Sequence, residues 1–428
     1  NLYIKLNMRI EDLKFINNND NIFSIQAYFP IGNIHEKIGE YGISHFLEHM
    51  KLKKSNKYNK YLFNEELDKS IVRNAYTTKD HTSYYLRGNM DKWKILTNLM
   101  YEIIFNTSFN KKDIEIEKKI ILEEKLITNG NYEKNDIDFN SEISILDKKN
   151  PYSKRVIGKM EDIKKITNIK LINYNKKYIN DYLIIITCNN KFKQKIKKLC
   201  FELFPDALKK PTIKLENTQS FNYSMTLRNI PTPQNKCYLT FKSFSESDNN
   251  KYYVNFIKNF LVSGMNSILM KKLRIQKGYT YSINTYEERY KDYGCFRIFI
   301  YSNNTNSITE ILEIIFNELN ILKKKGLIKT KLIKNKEKYL DSIDYYFKNN
   351  DYLVNNYGKY LYYDRTFTIK KYKKIIMDMT NEKLIEILNI LFDYNKMGLV
   401  SYGNYPKIEK TKNNIMNIIT KNRKIIII

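Results

Sequence analysis

The sequence predicts an α+β fold built twice: two homologous domains, each a mostly antiparallel sheet covered by helices. Three observations carry that expectation. The chain has 428 residues, of which 42% are hydrophobic, enough to fill more than one core. Its pattern of elements repeats at about half its length, and such a repeat takes precedence over any local assignment. Apolar residues recur with a period that switches between about 3.6 and 2, as helices laid on a sheet require.

The first half opens with NIFSIQAYFP (21–30), an alternating strand, followed by a helix over YGISHFLEHMKL (41–52). Residues NAYTTKDHTSYYLRG (74–88) alternate as one strand, DKWKILTNLMYEIIF (91–105) is an amphipathic helix, and a charged helix runs near 113–127. The second half keeps step. A strand KCYLTFKSF (236–244) leads to a helix through SGMNSILMKKLR (263–274), a strand pair over 279–301, a helix NSITEILEIIFNELNILKK (306–324) and another near 330–345. Each half closes on a helix and an apolar strand, KLINYNKKYINDYLIIITCNN (170–190) and KLIEILNILFDYNKMGLVSYGN (383–404). The Pro-containing RNIPTPQN (228–235) leads into the second half, and the expected domains are 1–215 and 216–428.

The formal charge is +28, from 74 Lys and Arg against 46 Asp and Glu, a balance that elsewhere signals nucleic acid or an anionic membrane. Here the lysines are scattered among acidic residues with no arginine-rich arm, and Lys, Asn, Ile and Tyr are favoured throughout, as an A/T-rich genome would give. No nucleic-acid partner is expected; salt-sensitive DNA or RNA binding would be its mark. Cys188, Cys200, Cys237 and Cys295 form no CxxC pair, so buried free thiols in a reducing compartment are expected rather than disulfides. The longest apolar runs, such as YLIIIT (182–187) and the terminal IIII (425–428), are too short to span a bilayer, and no apolar signal core opens the chain. A soluble intracellular protein is expected, and its start at Asn1 rather than Met suggests a missing N-terminal piece.

Of four histidines, two lie in GISHFLEHMK (42–51), His45 and His49. On a helix residues four apart point the same way, so both imidazoles can reach one metal, with Glu48 on the adjoining side of the same turn. Zinc, one per chain, suits that set: it takes imidazole nitrogen and carboxylate oxygen, keeps a position for water and lowers that water's pKa to about 7. Glu48 would take the proton from the attacking water and deliver it to the leaving amine. The H-x-x-E-H order is that of the inverzincins; a pair of surface histidines beside a solvated Glu is the bland alternative. A catalytic zinc wants a third protein ligand. His35 and His81 lie outside this helix, so the helix IEIEKKIILEEKL (114–126) is considered as its source. Glu117 and Glu124 share one helical face, whereas Glu123 is turned by about 100° from Glu124, and spacing alone does not choose between them.

At these residues the chain resembles the pitrilysin/insulinase family of zinc metallopeptidases, most closely its mitochondrial-processing-peptidase-like branch. GNIHEKIGEYGISHFLEHM (32–50) resembles the family's Gly-x-x-x-E, Gly-x-x-HFLEHM block, NAYTTKDHTSYY (74–85) its N-A-x-T-x-x-D-x-T-x-Y strand, and IEKKIILEEK (116–125) its E-R-x-V-I-L-x-E helix. The resemblance implies Glu124 as the third zinc ligand and Glu117 as the glutamate that steadies the site. SGMNSILMKKLRIQKGYTYSI (263–283) resembles the family block with an Arg and a Tyr seven apart around a Gly, here Arg274, Gly278 and Tyr281. By resemblance, Arg274 and Tyr281 bind the substrate backbone and help to polarise the scissile carbonyl, in a second domain without a metal site. The resemblance further implies a homodimer, or a pairing with a homologous subunit, that encloses a chamber. Substrate peptides or unfolded segments would add as a strand to the edge that begins at Asn74 and Ala75.

Two departures bear on substrate preference. The family's small turn after HFLEHM is replaced by KLKKSNKYNK (51–60), and its Gly pair before the N-A strand reads IVR (71–73). The positive charge also argues against assuming the basic presequences that acidic chambers of this family take. The expected function is a zinc-dependent endopeptidase. A non-catalytic core subunit of a larger assembly is the competing expectation, but relatives of that kind typically lose the HxxEH residues that this chain keeps.

Overall fold

A computed structural model describes residues 13–17, 21–55, 60–61, 69–129, 136–178, 181–205, 221–302, 307–349, 352 and 356–423. The terminal IIII and residues 56–59 of KLKKSNKYNK lie outside the described residues. The chain divides into two units, each drawn from three stretches of sequence: 1–131, 154–217 and 347–365 in the first, 132–153, 218–346 and 366–428 in the second.

In the first unit β1 (Leu13–Asn17), β2 (Ile22–Phe29), β5 (Ile71–Thr77), β6 (Thr82–Asn89) and β7 (Leu183–Cys188) form one sheet in the order β1-β7-β2-β6-β5. A small separate pair, β3 (Lys54–Ser55) and β4 (Lys60–Tyr61), stands apart from it. In the sheet only β1 and β7 run parallel. The alternation of β2 sends Phe23, Ile25, Ala27 and Phe29 into one core with α1 (Ile43–Lys51), α2 (Trp93–Phe105), α3 (Lys111–Asn129) and the helices Asn168–Tyr178 and Lys193–Leu203. The stretch 74–88 is not one strand but the hairpin of β5 and β6, turned at 78–81. That turn is closed by polar groups rather than by Gly or Pro: Thr78 N–H donates to His81 O at 2.8 Å, and Thr78 Oγ1 also reaches His81 O at 2.9 Å. Alternation continues on both sides, so the period alone does not show the break.

The other face of β2 is buried too, although Ser24, Gln26 and Tyr28 line it. Its cover comes from the far half of the chain, the helix Gly358–Tyr363. Gly358 permits the approach, since a Cβ there would stand 3.1 Å from both Gln26 Oε1 and Tyr28 Oη. Tyr362 stacks on Tyr28 with ring centroids 5.1 Å apart, and Tyr363 Oη donates to the buried Asp80 carboxylate at 2.9 and 3.0 Å. Asp80 in turn sits 2.7 Å from Nδ1 of the buried His81.

The second unit repeats the plan. β8 (Ser224–Asn229), β9 (Asn235–Ser243), β10 (Ile283–Arg289), β11 (Gly294–Ser302) and β12 (Met397–Gly403) run in the order β10-β11-β9-β12-β8. Each strand has its counterpart in the first sheet, down to the single parallel pair of β12 with β8. The two units are thus α+β with one topology used twice. The helix after β9 is Lys251–Val262, which differs from the helix expected over 263–274. Gly264, at φ +81°, stands just beyond its end, and the later stretch instead holds a π-helical segment, Met270–Gln276. The expected helices near 306–324 and 330–345 are Ile308–Lys325 and Lys329–Lys348. All four cysteines are buried free thiols, and no described helix is long and apolar enough to cross a membrane.

Tyr363→Phe keeps the ring and removes a donor to a buried carboxylate. A loss of about 1–2 kcal/mol in the urea-unfolding free energy is expected. Tyr345→Phe, on a ring that is 73% exposed, should leave that value unchanged within error.

Candidate metal centre

α1 has nine residues, too few to hold a helix in water without outside support. Its apolar positions supply one part of that support: Ile43, Phe46, Leu47 and Met50 are fully buried, each worth roughly 1.5–3 kcal/mol relative to exposure. The start of the helix supplies the rest. Gly42 adopts φ +97°, and a Cβ there would stand 2.8 Å from Ile157 O. The Glu36 carboxylate then accepts from Gly42 N–H at 2.8 Å and Ser44 N–H at 2.9 Å, while Ser44 Oγ lies 2.7 Å from Tyr174 Oη. With its first turn and one face fixed, the helix presents His45, Glu48 and His49 from the other side.

His45 Nε2 and His49 Nε2 confront each other at 3.2 Å. α3 brings Glu124 to them, with Oε1 3.7 Å from His45 Nε2 and Oε2 3.6 Å from His49 Nε2. One donor atom from each residue lies within 4.8 Å of the others, a grouping that can hold an ion. Glu123 is exposed and takes no part in it, so the helix phase left open by spacing selects Glu124. Glu117, almost fully buried one face-repeat earlier on α3, places Oε1 2.7 Å from His49 Nδ1 and pairs with the Lys53 ammonium. A carboxylate at Nδ1 keeps the ring proton there and turns the Nε2 lone pair toward the centre.

The donor set fits zinc. Burial, reinforced by His49, pushes His45 down to about 3, so its imidazole is the neutral form that a metal requires. Its Nδ1 is buried with no hydrogen-bond partner among the described residues. At His49 burial opposes the charge, but the bond to Glu117 and the Glu48, Glu117 and Glu124 carboxylates outweigh it and hold the pKa above its ordinary value. Glu48, itself buried, accepts from Thr77 Oγ1 at 2.8 Å. Burial lifts its pKa above the usual carboxylate value despite the Thr77 bond.

β5 forms an edge of the first sheet among the described residues. Asn74 is exposed on it and takes the N–H of half-buried Ala75 on its Oδ1 at 2.9 Å. In the second unit the Arg274 guanidinium lies 4.5 Å from the centroid of the Tyr281 ring, which is 77% exposed, with Gly278 at φ +64° between them in sequence. The structure therefore gathers His45, Glu48, His49, Glu117 and Glu124 in one place within the first unit, and within the second it holds Arg274 and Tyr281 together. The remaining histidines serve locally: His35 Nδ1 accepts the Gly32 N–H at 3.0 Å, and His81 belongs to the Asp80 group. Glu36, Thr77 and Lys53 went unassigned by spacing. Glu36 and Thr77 stand in the GNIHE and NAYT motifs, but what they touch depends on tertiary contacts.

The profile described as Insulinase (Peptidase family M16) matches residues 15–143, and that described as Peptidase M16 inactive domain matches 174–339. Among relatives, the chain is 24% identical over 326 residues to "Uncharacterized zinc protease YmxG" of Bacillus subtilis, covering 75% of this chain and 78% of the relative. Among solved structures, a protease from Helicobacter pylori superposes with a TM-score of 0.79 at 17% identity, covering 92% of this chain and 98% of that one. The periplasmic protease PqqL from Escherichia coli matches with a TM-score of 0.77 at 15% identity, covering 97% of this chain and 50% of PqqL.

Glu36 offers a pH test of the helix clamp. Burial, ahead of the Gly42 and Ser44 bonds that favour the anion, lifts it from 4.5 to about 7. The folded state then keeps the proton longer than the unfolded state, so the contribution is full below about 4.5 and is lost as pH rises to about 7. The unfolding free energy of wild type minus that of Glu36→Gln should therefore fall between pH 5 and about 7.5 in urea titrations. A difference that is flat or rises with pH would contradict this.

Proposed function

Since the chain belongs to the insulinase (peptidase M16) family, with a zinc-protease-like first part and a C-terminal part of that family's inactive type, we propose that it is a zinc metalloendopeptidase acting on peptides or unfolded segments. The observation that carries the reading is the convergence of His45, His49 and Glu124 beside a buried Glu48. His45 Nε2, His49 Nε2 and the Glu124 carboxylate would hold one zinc, which supplies the Lewis acidity that polarises a peptide carbonyl and acidifies water. Glu117 fixes His49 through Nδ1. Thr77 fixes Glu48 through Oε2, leaving Oε1 to take the proton from the attacking water and pass it to the departing amine.

The substrate docks as an added strand on the outer side of β5, where Asn74 and Ala75 lie, so its main chain is read by backbone hydrogen bonds before any side chain is. Arg274 and Tyr281 bind the substrate main chain and polarise the scissile carbonyl. Two copies pair to enclose the chamber, and PqqL, of which this chain spans half, has the length of two such chains.

Glu48→Gln should keep about one zinc per chain while lowering cleavage of an unfolded-peptide library by roughly 10²- to 10⁴-fold. Chelation should abolish cleavage and zinc restore it. Full activity in Glu48→Gln, or a zinc-loaded wild type that cuts no peptide, would overturn the proposal.

A further inference from the structure

Thr77, whose hydroxyl holds Glu48, is the last residue of β5, so the turn that follows it bears on the base. That turn, 78–81, is knit together by its own side chains. Thr78 Oγ1 accepts His81 N–H at 3.1 Å and lies 2.8 Å from His81 Nδ1, and the buried Asp80 carboxylate lies 2.7 Å from that same nitrogen. On one side the turn is tied to the loop before α1, where Asn33 N–H and Ile34 N–H donate to Thr78 O at 3.4 Å and Lys79 O at 3.0 Å. The same loop runs on to Glu36, which clamps the first turn of α1. The turn thus bridges the two elements that supply Glu48 and its partner.

From far along the chain a single hydroxyl completes this arrangement. Tyr363 Oη donates to the Asp80 oxygens at 2.9 and 3.0 Å and lies 3.1 Å from His81 Nδ1. Removing it takes a donor from a buried carboxylate, whose remaining bonds must regroup, and those bonds shape the turn. A catalytic group tolerates little displacement, since about 1 Å costs roughly 10²-fold in rate. Resting on the peptidase reading above, we propose that Tyr363 is a positioning residue for Glu48: through Asp80 and the 78–81 turn it holds Thr77 where its hydroxyl fixes the base.

A tyrosine that only stabilises the fold would lower stability without touching turnover, and a double-mutant cycle separates the two roles. The test uses the zinc-loaded full chain and one peptide that wild type cleaves. Tyr363→Phe should lower kcat about three- to tenfold, short of the loss from a full 1 Å displacement, with KM and zinc content unchanged. Tyr182→Phe removes a buried tyrosine's bond to Pro205 O, outside this chain of contacts, and should leave kcat unchanged. In a Thr77→Val background, where the hydroxyl on Glu48 is already gone, the Tyr363→Phe effect should shrink below about twofold. An equal factor in both backgrounds overturns the proposal, as does an unchanged kcat in Tyr363→Phe.

Amide hydrogen exchange needs no cleavage. The Thr78 N–H, bonded to His81 O at 2.8 Å, should exchange about tenfold faster in Tyr363→Phe and not in Tyr182→Phe. If that is found in a protein that cuts no peptide, the hold on the turn stands and the peptidase reading alone fails. Exchange at Thr78 that is unchanged, or raised equally in both variants, overturns the role of Tyr363.

Discussion

A helix of nine residues has to be held at a fixed height on a sheet while three of its side chains stay ready for polar chemistry, and the rest of the first unit follows from that demand. Buried Ile43, Phe46, Leu47 and Met50 press it down, and the Glu36 carboxylate gathers two of its first N–H groups. Neither device alone would fix the angle of His45 against His49. Packing sets the face, the clamp sets the first turn, and the backbone contact at Gly42 leaves no room for a side chain that would shift either.

Charge is arranged on a finer scale than the net balance suggests. Within a strongly basic chain, Glu48, Glu117 and Glu124 surround two imidazoles, and Lys53 is drawn only to the outermost of these links, the carboxylate that orients His49. Among the described residues of the second unit no such grouping occurs, and the same topology arranges its charges differently there. Its helix after β9 carries neither His nor Glu, and nearby Glu246 pairs with Lys251 at 3.0 Å and with Arg289 at 3.2 Å, while Arg289 also meets Glu287 at 2.6 Å. Buried cations and anions neutralise one another there, whereas in the first unit the carboxylates are gathered around two imidazoles.

What could be read from the sequence was whatever depends on local period. The four-residue spacing of His45 and His49 and the amphipathic pattern of α2 needed nothing from elsewhere in the chain, and the repeat of strands and helices announced two matching units. Long-range facts were hidden. Glu124 and Glu123 differ only in helical phase against α1, which no spacing inside α3 can report. The hairpin at 78–81 keeps its alternation through a turn closed by Thr78 and Asp80. Ser24, Gln26 and Tyr28 look like a wet face until Tyr362 and Gly358 arrive to cover it. Lys51 looks like a surface residue, yet its ammonium is buried and donates to Ile103 O at 3.3 Å and Ile104 O at 2.8 Å, satisfying the C-terminal end of α2.

On the proposed reading, three side chains from two helices hold a single zinc ion. An anomalous difference map collected at the zinc edge from crystals of the zinc-loaded protein tests it most directly. One peak per chain is expected in the first unit, about 2.0–2.2 Å from His45 Nε2, His49 Nε2 and a Glu124 oxygen. A peak held by other side chains, or none at those residues in zinc-saturated crystals, would contradict it.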